Sequence, residues 1–199
     1  MKIINNPNPV FWKDVVKACS FATFFHTDTW ASVMAETFRL KDITRAFIFD
    51  DGTKAVLPIL AKGRMFGLAY LNCRSMYPGV YGGVISEKVL TEGQRQELEE
   101  YFLSLKLTAL TIVGNPMRPQ PFFLDNFEKK EMFTHMLKLA PGFESIFSGY
   151  SPKARRRSKS GVKKGIEIRQ ADNWPDYKAY YATYLDSLKR WGKRLPVMT

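Results

Sequence analysis

Cysteine and histidine, which most often build metal sites, are scarce in this sequence. Each occurs twice among 199 residues, and Cys19 and Cys73 lie far apart without a CxxC pair. A disulfide framework or a cysteine-based zinc site is therefore not expected, and both thiols are predicted to be reduced and buried. We expect no metal site.

Long apolar runs are missing as well. No stretch approaches the roughly 20 consecutive apolar residues of a membrane-spanning helix. Residues 1–9 contain no apolar core of a secretion signal. We therefore expect a cytoplasmic protein without a transmembrane segment.

Familiar catalytic signatures are also absent. The sequence contains no Ser/His/Asp order typical of a triad, no paired-carboxylate signature and no HExxH. The catalytic residue is therefore left unassigned.

Positive charge is abundant and concentrated at one end. The net charge is +11, but residues 1–149 hold 17 Lys/Arg against 15 Asp/Glu, whereas residues 150–199 hold 13 against 4. Such asymmetry favours a surface for phosphate, carboxylate or anionic lipid. A merely solvated basic face is the alternative.

Two helix starts occur near the beginning of the chain. Asn8 followed by Pro9 resembles an N-cap with proline at the first helical position. A second helix begins at Thr27 or Asp28. Its 3.6-residue periodicity predicts one buried face, formed by Trp30, Val33, Met34, Thr37 and Phe38.

Strand and turn signals follow. Asp51-Gly52 predicts a tight hairpin between strands at 45–49 and 54–61. A capping box at Thr91 and Gln94 predicts a helix to about residue 106. Further strands are expected at 109–113 and 133–139. Together these elements predict an α/β (α+β) fold, with a mixed, largely antiparallel sheet and flanking helices.

The segment Tyr81-Gly82-Gly83 combines an aromatic ring with two glycines. Adjacent glycines indicate a close approach of the backbone, either at a structural bulge or beside a ligand. No Lys-Ser/Thr follows them, which excludes a phosphate-binding P-loop.

A strongly basic helix is predicted between Ser151-Pro152 and Gly165. Residues 153–164 include seven Lys/Arg among twelve and no acid. Like charges at i,i+4 spacing cost a few tenths of a kcal/mol per pair, so an anion would relieve the helix. Small side chains at Ala154, Ser158 and Val162 form a narrow stripe that is expected to rest on a surface.

A strand is predicted at 165–170 and an amphipathic helix at 174–192. Aromatic side chains share one face of this helix and either pack as a core or border a polar ligand or second domain. They include Tyr177, Tyr180, Tyr181, Tyr184 and Trp191.

Five segments, taken in order, resemble those of one protein family. They are Phe25-His-Thr-Asp-Thr-Trp30, Tyr81-Gly82-Gly83, Thr134-His-Met-Leu-Lys-Leu139, the segment from Ser151 to Gly165 and the segment from Tyr180 to Gly192. The set is similar to the FemAB-like family, the peptidoglycan-bridge aminoacyltransferases and their acetyltransferase relatives. Family members look like two GNAT-type domains in tandem.

The resemblance implies an N-terminal GNAT-like domain at 1–149 and, at 150–199, the start of a second one that is incomplete. It implies transfer of an acyl or aminoacyl group to an amine of a cell-envelope precursor or a similar anionic substrate. The donor would be acyl-CoA or aminoacyl-tRNA. The usual GNAT pyrophosphate turn is absent, so no cofactor is expected within this chain.

The expected partners are an anionic phosphate-bearing substrate, tRNA as a donor, and an anionic membrane surface contacted peripherally. The alternative function is a basic nucleic-acid-binding module without catalytic activity. Against it, the aromatic residues fall on a face predicted to pack. The substrate-binding candidates are Lys153, Arg155, Arg156, Lys163, Arg190, Trp191, Tyr81, Gly82 and Gly83.

Overall fold

The computed structural model describes residues 1–65, 69–70, 72–75, 80–105, 107–118 and 124–192. The chain divides into two compact units, Met1–Glu131 and Met132–Thr199. The domain boundary expected between residues 149 and 150 lies inside the second unit.

The first unit contains all the described strands and the first helices. The helices are α1 (Pro9–Ala18), a short 3-10 helix (Phe24–His26), α2 (Asp28–Phe38) and α3 (Glu92–Ser104). The strands are β1 (Lys2–Asn5), β2 (Lys41–Asp42), β3 (Arg45–Ile48), β4 (Lys54–Leu57), β5 (Leu60–Ala61), β6 (Arg64–Met65), β7 (Ala69–Tyr70), β8 (Cys73–Ser75), β9 (Ile85–Ser86) and β10 (Leu110–Ile112).

The described strands form two four-stranded sheets and one two-stranded pair. The first sheet has the order β1-β3-β4-β9 and is antiparallel throughout. The second has the order β10-β8-β5-β2 and is mixed, because β10 runs parallel to β8. Strands β6 and β7 pair antiparallel. The fold is therefore α+β, which confirms the predicted class.

The β3–β4 hairpin forms where Asp51-Gly52 predicted it. Gly52 adopts a φ of +81°, which glycine permits without steric cost. The Asp51 carboxylate accepts hydrogen bonds from the Thr53 amide and hydroxyl, each at 2.9 Å. These bonds lower the pKa of Asp51 and hold the turn closed.

Helices cover both faces of the first sheet. Neighbouring residues of a strand point to opposite faces, so Ala46 packs in the cluster with α1 and α2, whereas Phe47 packs in the cluster with α3. The α1/α2 cluster includes Trp12, Val15, Ala31, Met34, Val56 and Ile85. The α3 cluster includes Phe49, Leu57, Ile59, Leu98 and Phe102.

The predicted helix starts are confirmed by their caps. The Asn8 side chain accepts from the Phe11 amide at 2.8 Å, and the Thr27 hydroxyl accepts from the Trp30 amide at 3.2 Å. Thr91 and Gln94 form the expected capping box. Each cap satisfies an amide that lacks an intrahelical partner.

The predicted buried face of α2 is only partly correct. Val33 and Thr37 are exposed, whereas Ala31 and Met34 are buried. The buried stripe is therefore rotated around the helix axis toward Ala31, whose small side chain permits a close approach to the core.

The second unit contains α4 (Phe143–Ser148), α5 (Pro152–Lys163) and α6 (Trp174–Arg190). The strands predicted at 133–139 and 165–170 are wrong, because both segments are irregular and exposed. Phe133 is 93% exposed and Ile168 is 97% exposed. A strand needs a partner to satisfy its amides and carbonyls, and neither segment pairs with any described strand.

The basic helix α5 begins and ends as expected. The Ser151 hydroxyl accepts from the Ala154 amide at 3.3 Å, and Gly165 has a φ of +75° beyond the C-terminus. The expected contact of Ala154, Ser158 and Val162 with a surface is not formed, because all three are exposed. Among the described helices, none has the length and apolarity needed to cross a bilayer.

Replacing Leu98 with Ala tests the position of the α3 core. Leu98 is fully buried and Leu103, on the same helix, is 54% exposed. We expect Leu98→Ala to lower the free energy of unfolding by about 2–5 kcal/mol and Leu103→Ala by less than about 0.5 kcal/mol. Urea denaturation monitored by far-UV circular dichroism measures both. Equal losses in the two variants would contradict this packing.

Candidate functional site

Most cations of α5 are exposed, and none is neutralised by a described carboxylate. None of its Lys or Arg residues forms an ion pair with any other described residue. Lys153, Arg156 and Lys163 are exposed and Arg155 is half-buried. The structure therefore gathers these four predicted binding residues on one solvated helix.

Helical geometry divides the α5 cations into two adjoining groups. With about 100° between successive residues, Arg155, Arg156 and Lys163 fall within an arc of about 100°, together with Lys159. Lys153 lies on the adjoining face with Arg157 and Lys164. Over a rise of about 12 Å, one face of α5 thus presents several cations to a ligand with more than one anionic group.

Arg190 and Trp191 differ from the α5 residues in their surroundings. The Arg190 guanidinium pairs with Asp186 at 3.1 Å and donates to the Ser187 hydroxyl at 3.0 Å. It is therefore partly neutralised by its own helix. The Trp191 ring, just beyond α6, is exposed.

The aromatic face of α6 is largely exposed. Trp174, Tyr177, Tyr180 and Tyr181 are open to solvent, whereas Leu188 is buried. The objection that these rings are packed away from a ligand is therefore wrong for the described residues. An exposed row of rings fits a boundary with a polar ligand, because each tyrosine ring carries a polar tip.

The glycines of the 81–83 turn make the close approach that was predicted. A Cβ on Gly82 would overlap with the Ser75 carbonyl group. The Gly82 amide donates to the Val113 carbonyl at 2.9 Å, and the Gly83 amide donates to the Ser75 hydroxyl at 2.8 Å. Both glycines are buried and Tyr81 is half-buried. The glycines thus serve the fold, and Tyr81 is the accessible member of the turn.

His26, to which the sequence assigned no role, joins the 3-10 helix to this turn. Its Nδ1 accepts from the Thr23 amide at 3.1 Å, so the ring proton is on Nε2, which donates to the Gly82 carbonyl at 3.1 Å. Trp12 Nε1 donates to the His26 carbonyl at 2.7 Å. Burial lowers the pKa of His26, and the charge of Arg118 lowers it further.

Arg118 is a second residue that the sequence did not single out. Its Nη1 donates to the Val84 carbonyl at 2.9 Å, and its guanidinium lies 4.9 Å from the Phe21 ring centroid. Burial lowers the pKa of Arg118 to about 10, and the charge of Arg95 also lowers it. No pattern indicated this position, because one arginine in a proline-rich loop has no periodicity.

No protein-family model matches this chain, and no match is found among curated proteins or solved structures. The FemAB-like resemblance therefore stays a prediction. Within the described residues, no three potential metal-ligating side chains lie together. The chemistry of the candidate site follows from its own residues, which supply cations, aromatic rings and backbone hydrogen bonds.

Replacing Gly82 with Ala tests the close approach. The methyl group collides with the Ser75 carbonyl, so we expect a loss of about 1–3 kcal/mol or more in the free energy of unfolding. Gly114→Ala is the control, since nothing lies within 4 Å of a Cβ there. That variant is expected to be unchanged or slightly stabilised. Urea denaturation distinguishes the two, and an unaffected Gly82→Ala protein would refute the contact.

The buried His26 makes the stability of the first unit depend on pH. The unfolded histidine binds a proton near pH 6.5, whereas the folded one has a lowered pKa. The unfolded state therefore binds more protons as the pH falls, and stability falls with it, by at most about 1.4 kcal/mol per pH unit.

Urea denaturation between about pH 7.5 and about pH 5.5 measures this dependence. We expect His26→Gln to flatten the profile, whereas His135→Gln, at an exposed position, retains the wild-type slope. A wild-type slope in the His26→Gln protein would show that another group is responsible.

Proposed function

We propose that this chain is the N-terminal part of an acyl- or aminoacyl-transferase whose helix α5 binds the phosphate groups of an anionic substrate. One observation carries the binding role. None of the seven Lys and Arg residues of the 153–164 segment is paired with a carboxylate in the described part of the chain.

Phosphate fits this helix better than an isolated carboxylate does. Arg155 and Arg156 present planar guanidinium groups that suit bidentate contact with phosphate oxygens. Their neighbours on the helix add point charges. Mutual repulsion among these cations is relieved when a multivalent anion binds, so binding also stabilises the helix.

The transferase part of the proposal rests on the resemblance of the five segments to the FemAB-like family. Both donor types, acyl-CoA and aminoacyl-tRNA, are rich in phosphate, and so is a nucleotide- or lipid-linked acceptor. In this proposal α5 holds one of these phosphate-bearing molecules in the cytoplasm. Trp191 contributes a ring contact to the ligand, and Arg190 adds a cation.

A second candidate function is nucleic-acid binding without catalysis. The exposed rings of α6 support it, because single-stranded nucleic acids are bound by combining cations with aromatic stacking. Lys178 Nζ lies 5.9 Å from the Trp174 ring centroid, so a cation and a stacking surface occur side by side.

The Arg155→Ala/Arg156→Ala variant tests the role of α5. Coenzyme A, uridine diphosphate and bulk tRNA are titrated against the protein, with binding followed by tryptophan fluorescence. We expect at least one probe to bind, and its Kd to rise about tenfold or more in the variant, because charge-assisted hydrogen bonds are lost.

The control is Lys17→Ala/Lys62→Ala, which removes the same charge from two exposed residues of the first unit. If the Kd rose equally in both double variants, net charge alone would explain the effect and the proposal would be contradicted. Absence of binding to all three probes would also contradict it. Unrelated single-stranded RNA distinguishes the second candidate. The second candidate is supported if this RNA binds as tightly as tRNA. The logarithm of the binding constant should then fall with the logarithm of the salt concentration, with a slope of about −0.7 per phosphate contact.

A further inference from the structure

The C-terminal end of α5 presents two aliphatic side chains to solvent. Val162, in the last turn, is 73% exposed, and Ile166, just beyond the helix, is 63% exposed. The helix end fixes both residues, because the Ile166 amide donates to the Gly161 carbonyl at 3.1 Å and the Gly165 amide donates to the Val162 carbonyl at 3.0 Å. Ile166 packs against Gly161, since its Cδ1 lies 3.5 Å from where a Cβ would be. Glycine offers no side chain to cover it, so this end of α5 is an exposed apolar surface.

Val162 belongs to the cationic face of α5. With about 100° between successive residues, Val162 lies about 20° from Arg155 and about 60° from Lys159 around the helix axis. Glu167 is the only acid of residues 151–168, which contain seven Lys and Arg. None of these cations forms an ion pair with a described carboxylate. An exposed aliphatic side chain therefore lies among unpaired positive charges.

Aromatic rings lie just before the N-terminal end of α5. The Phe143 and Phe147 rings stack with their centroids 5.4 Å apart, and the Phe147 centroid lies 6.1 Å from that of Tyr150. Phe143 and Tyr150 are exposed. Tyr150 directly precedes the N-cap Ser151, so chain connectivity places this cluster at the start of the basic helix. Tyrosine, with an apolar body and a polar tip, favours the boundary between water and lipid.

The exposed aliphatic side chains distinguish between anionic partners. A dissolved phosphate compound gains hydrogen bonds from the α5 cations but little from Val162 or Ile166. Nucleic-acid bases stack on aromatic rings, and these two side chains offer no such plane. An anionic bilayer complements both kinds of side chain, because its head groups attract Lys and Arg and its acyl chains accept apolar groups. Long Lys and Arg stems also lie along apolar surface while their charged ends stay in water.

We propose that the α5 cations, together with Val162 and Ile166, attach this chain peripherally to the surface of an anionic lipid bilayer. The cations contact the head groups, and the two aliphatic side chains enter the boundary between head groups and acyl chains. Two apolar side chains alone bind a bilayer weakly, and the cations supply the second attraction. This inference goes beyond the proposed function, because the partner is a bilayer rather than a dissolved substrate and no transfer activity is required.

Sedimentation with vesicles tests the attachment, using phosphatidylcholine alone or an equimolar mixture of phosphatidylcholine and phosphatidylglycerol. We expect the protein to sediment with the mixed vesicles and not with the neutral ones. Val162→Ser/Ile166→Ser is expected to raise the apparent Kd for mixed vesicles about tenfold or more, because apolar contact with the bilayer is lost. The control is Val10→Ser/Val89→Ser, at two exposed positions of the first unit, and it is expected to keep the wild-type Kd.

Val162→Trp makes the test independent of a loss of folding, because it is expected to strengthen binding. Tryptophan favours the membrane interface, so the apparent Kd for mixed vesicles should fall several-fold. Absence of binding to mixed vesicles, or the same Kd in wild type and in Val162→Ser/Ile166→Ser, overturns the inference. If those two substitutions weakened the binding of single-stranded RNA as much as that of vesicles, a polyanion would be the partner, and the inference would also be overturned.

The dissolved probes keep this inference separate from the proposed function. A protein that binds coenzyme A, uridine diphosphate or tRNA but no vesicles overturns the bilayer attachment and leaves the proposed function standing. A protein that binds mixed vesicles but none of the three probes does the opposite. Val162→Ser/Ile166→Ser is expected to retain the wild-type Kd for whichever dissolved probe binds, because it removes no charge and no hydrogen-bond donor of α5.

Discussion

Gly82 lies against the backbone of Ser75, and this contact holds the layers of the first unit together. The 81–83 turn leads into β9 of the first sheet, and its amides donate to residues of the second sheet or next to it. The Gly82 amide donates to the Val113 carbonyl, just after β10, and the Gly83 amide donates to the Ser75 hydroxyl, at the end of β8. His26 attaches the helical layer by donating to the Gly82 carbonyl. Any side chain at position 82 would push the two sheets apart, so their junction requires glycine there.

Charged groups of the first unit that have hydrogen-bond partners differ from the cations of α5. In the first unit, Glu99 accepts from the Asn126 amide at 2.5 Å and from its Nδ2 at 3.0 Å, and these bonds lower the pKa of Glu99. Arg118 is likewise seated on a carbonyl and a ring. Such charges hold loops in place. The α5 cations form no ion pair with any described residue, and a bound anion would offset the free energy that their mutual repulsion costs.

Local signals in the sequence predicted the elements that form locally. The caps at Asn8, Thr27, Thr91 and Ser151 were all recognisable, because an N-cap and its helix are only a few residues apart. The hairpin at Asp51-Gly52 follows the same rule.

Features that depend on distant partners could not be predicted in the same way. The 133–139 segment has strand-like residues but no described partner strand, and the register of α2 depends on what it packs against. The sequence predicted a close backbone approach at Gly82. It did not predict that the partner is Ser75, because no local signal near Gly82 indicates which distant residue the backbone contacts. Arg118 was missed because its partners, Phe21 and Val84, are distant in sequence.

Burial determines how salt acts on the charges of the two units. Salt screens charges on an exposed helix, so the affinity for phosphate that we propose for α5 is expected to depend steeply on ionic strength. Arg118 is partly withdrawn from solvent, and interactions of partly buried charges are screened much less. The density of exposed cations on α5 therefore suits the capture of a large polyanion, whereas Arg118 serves its own loop through a hydrogen bond and a ring contact that salt weakens little.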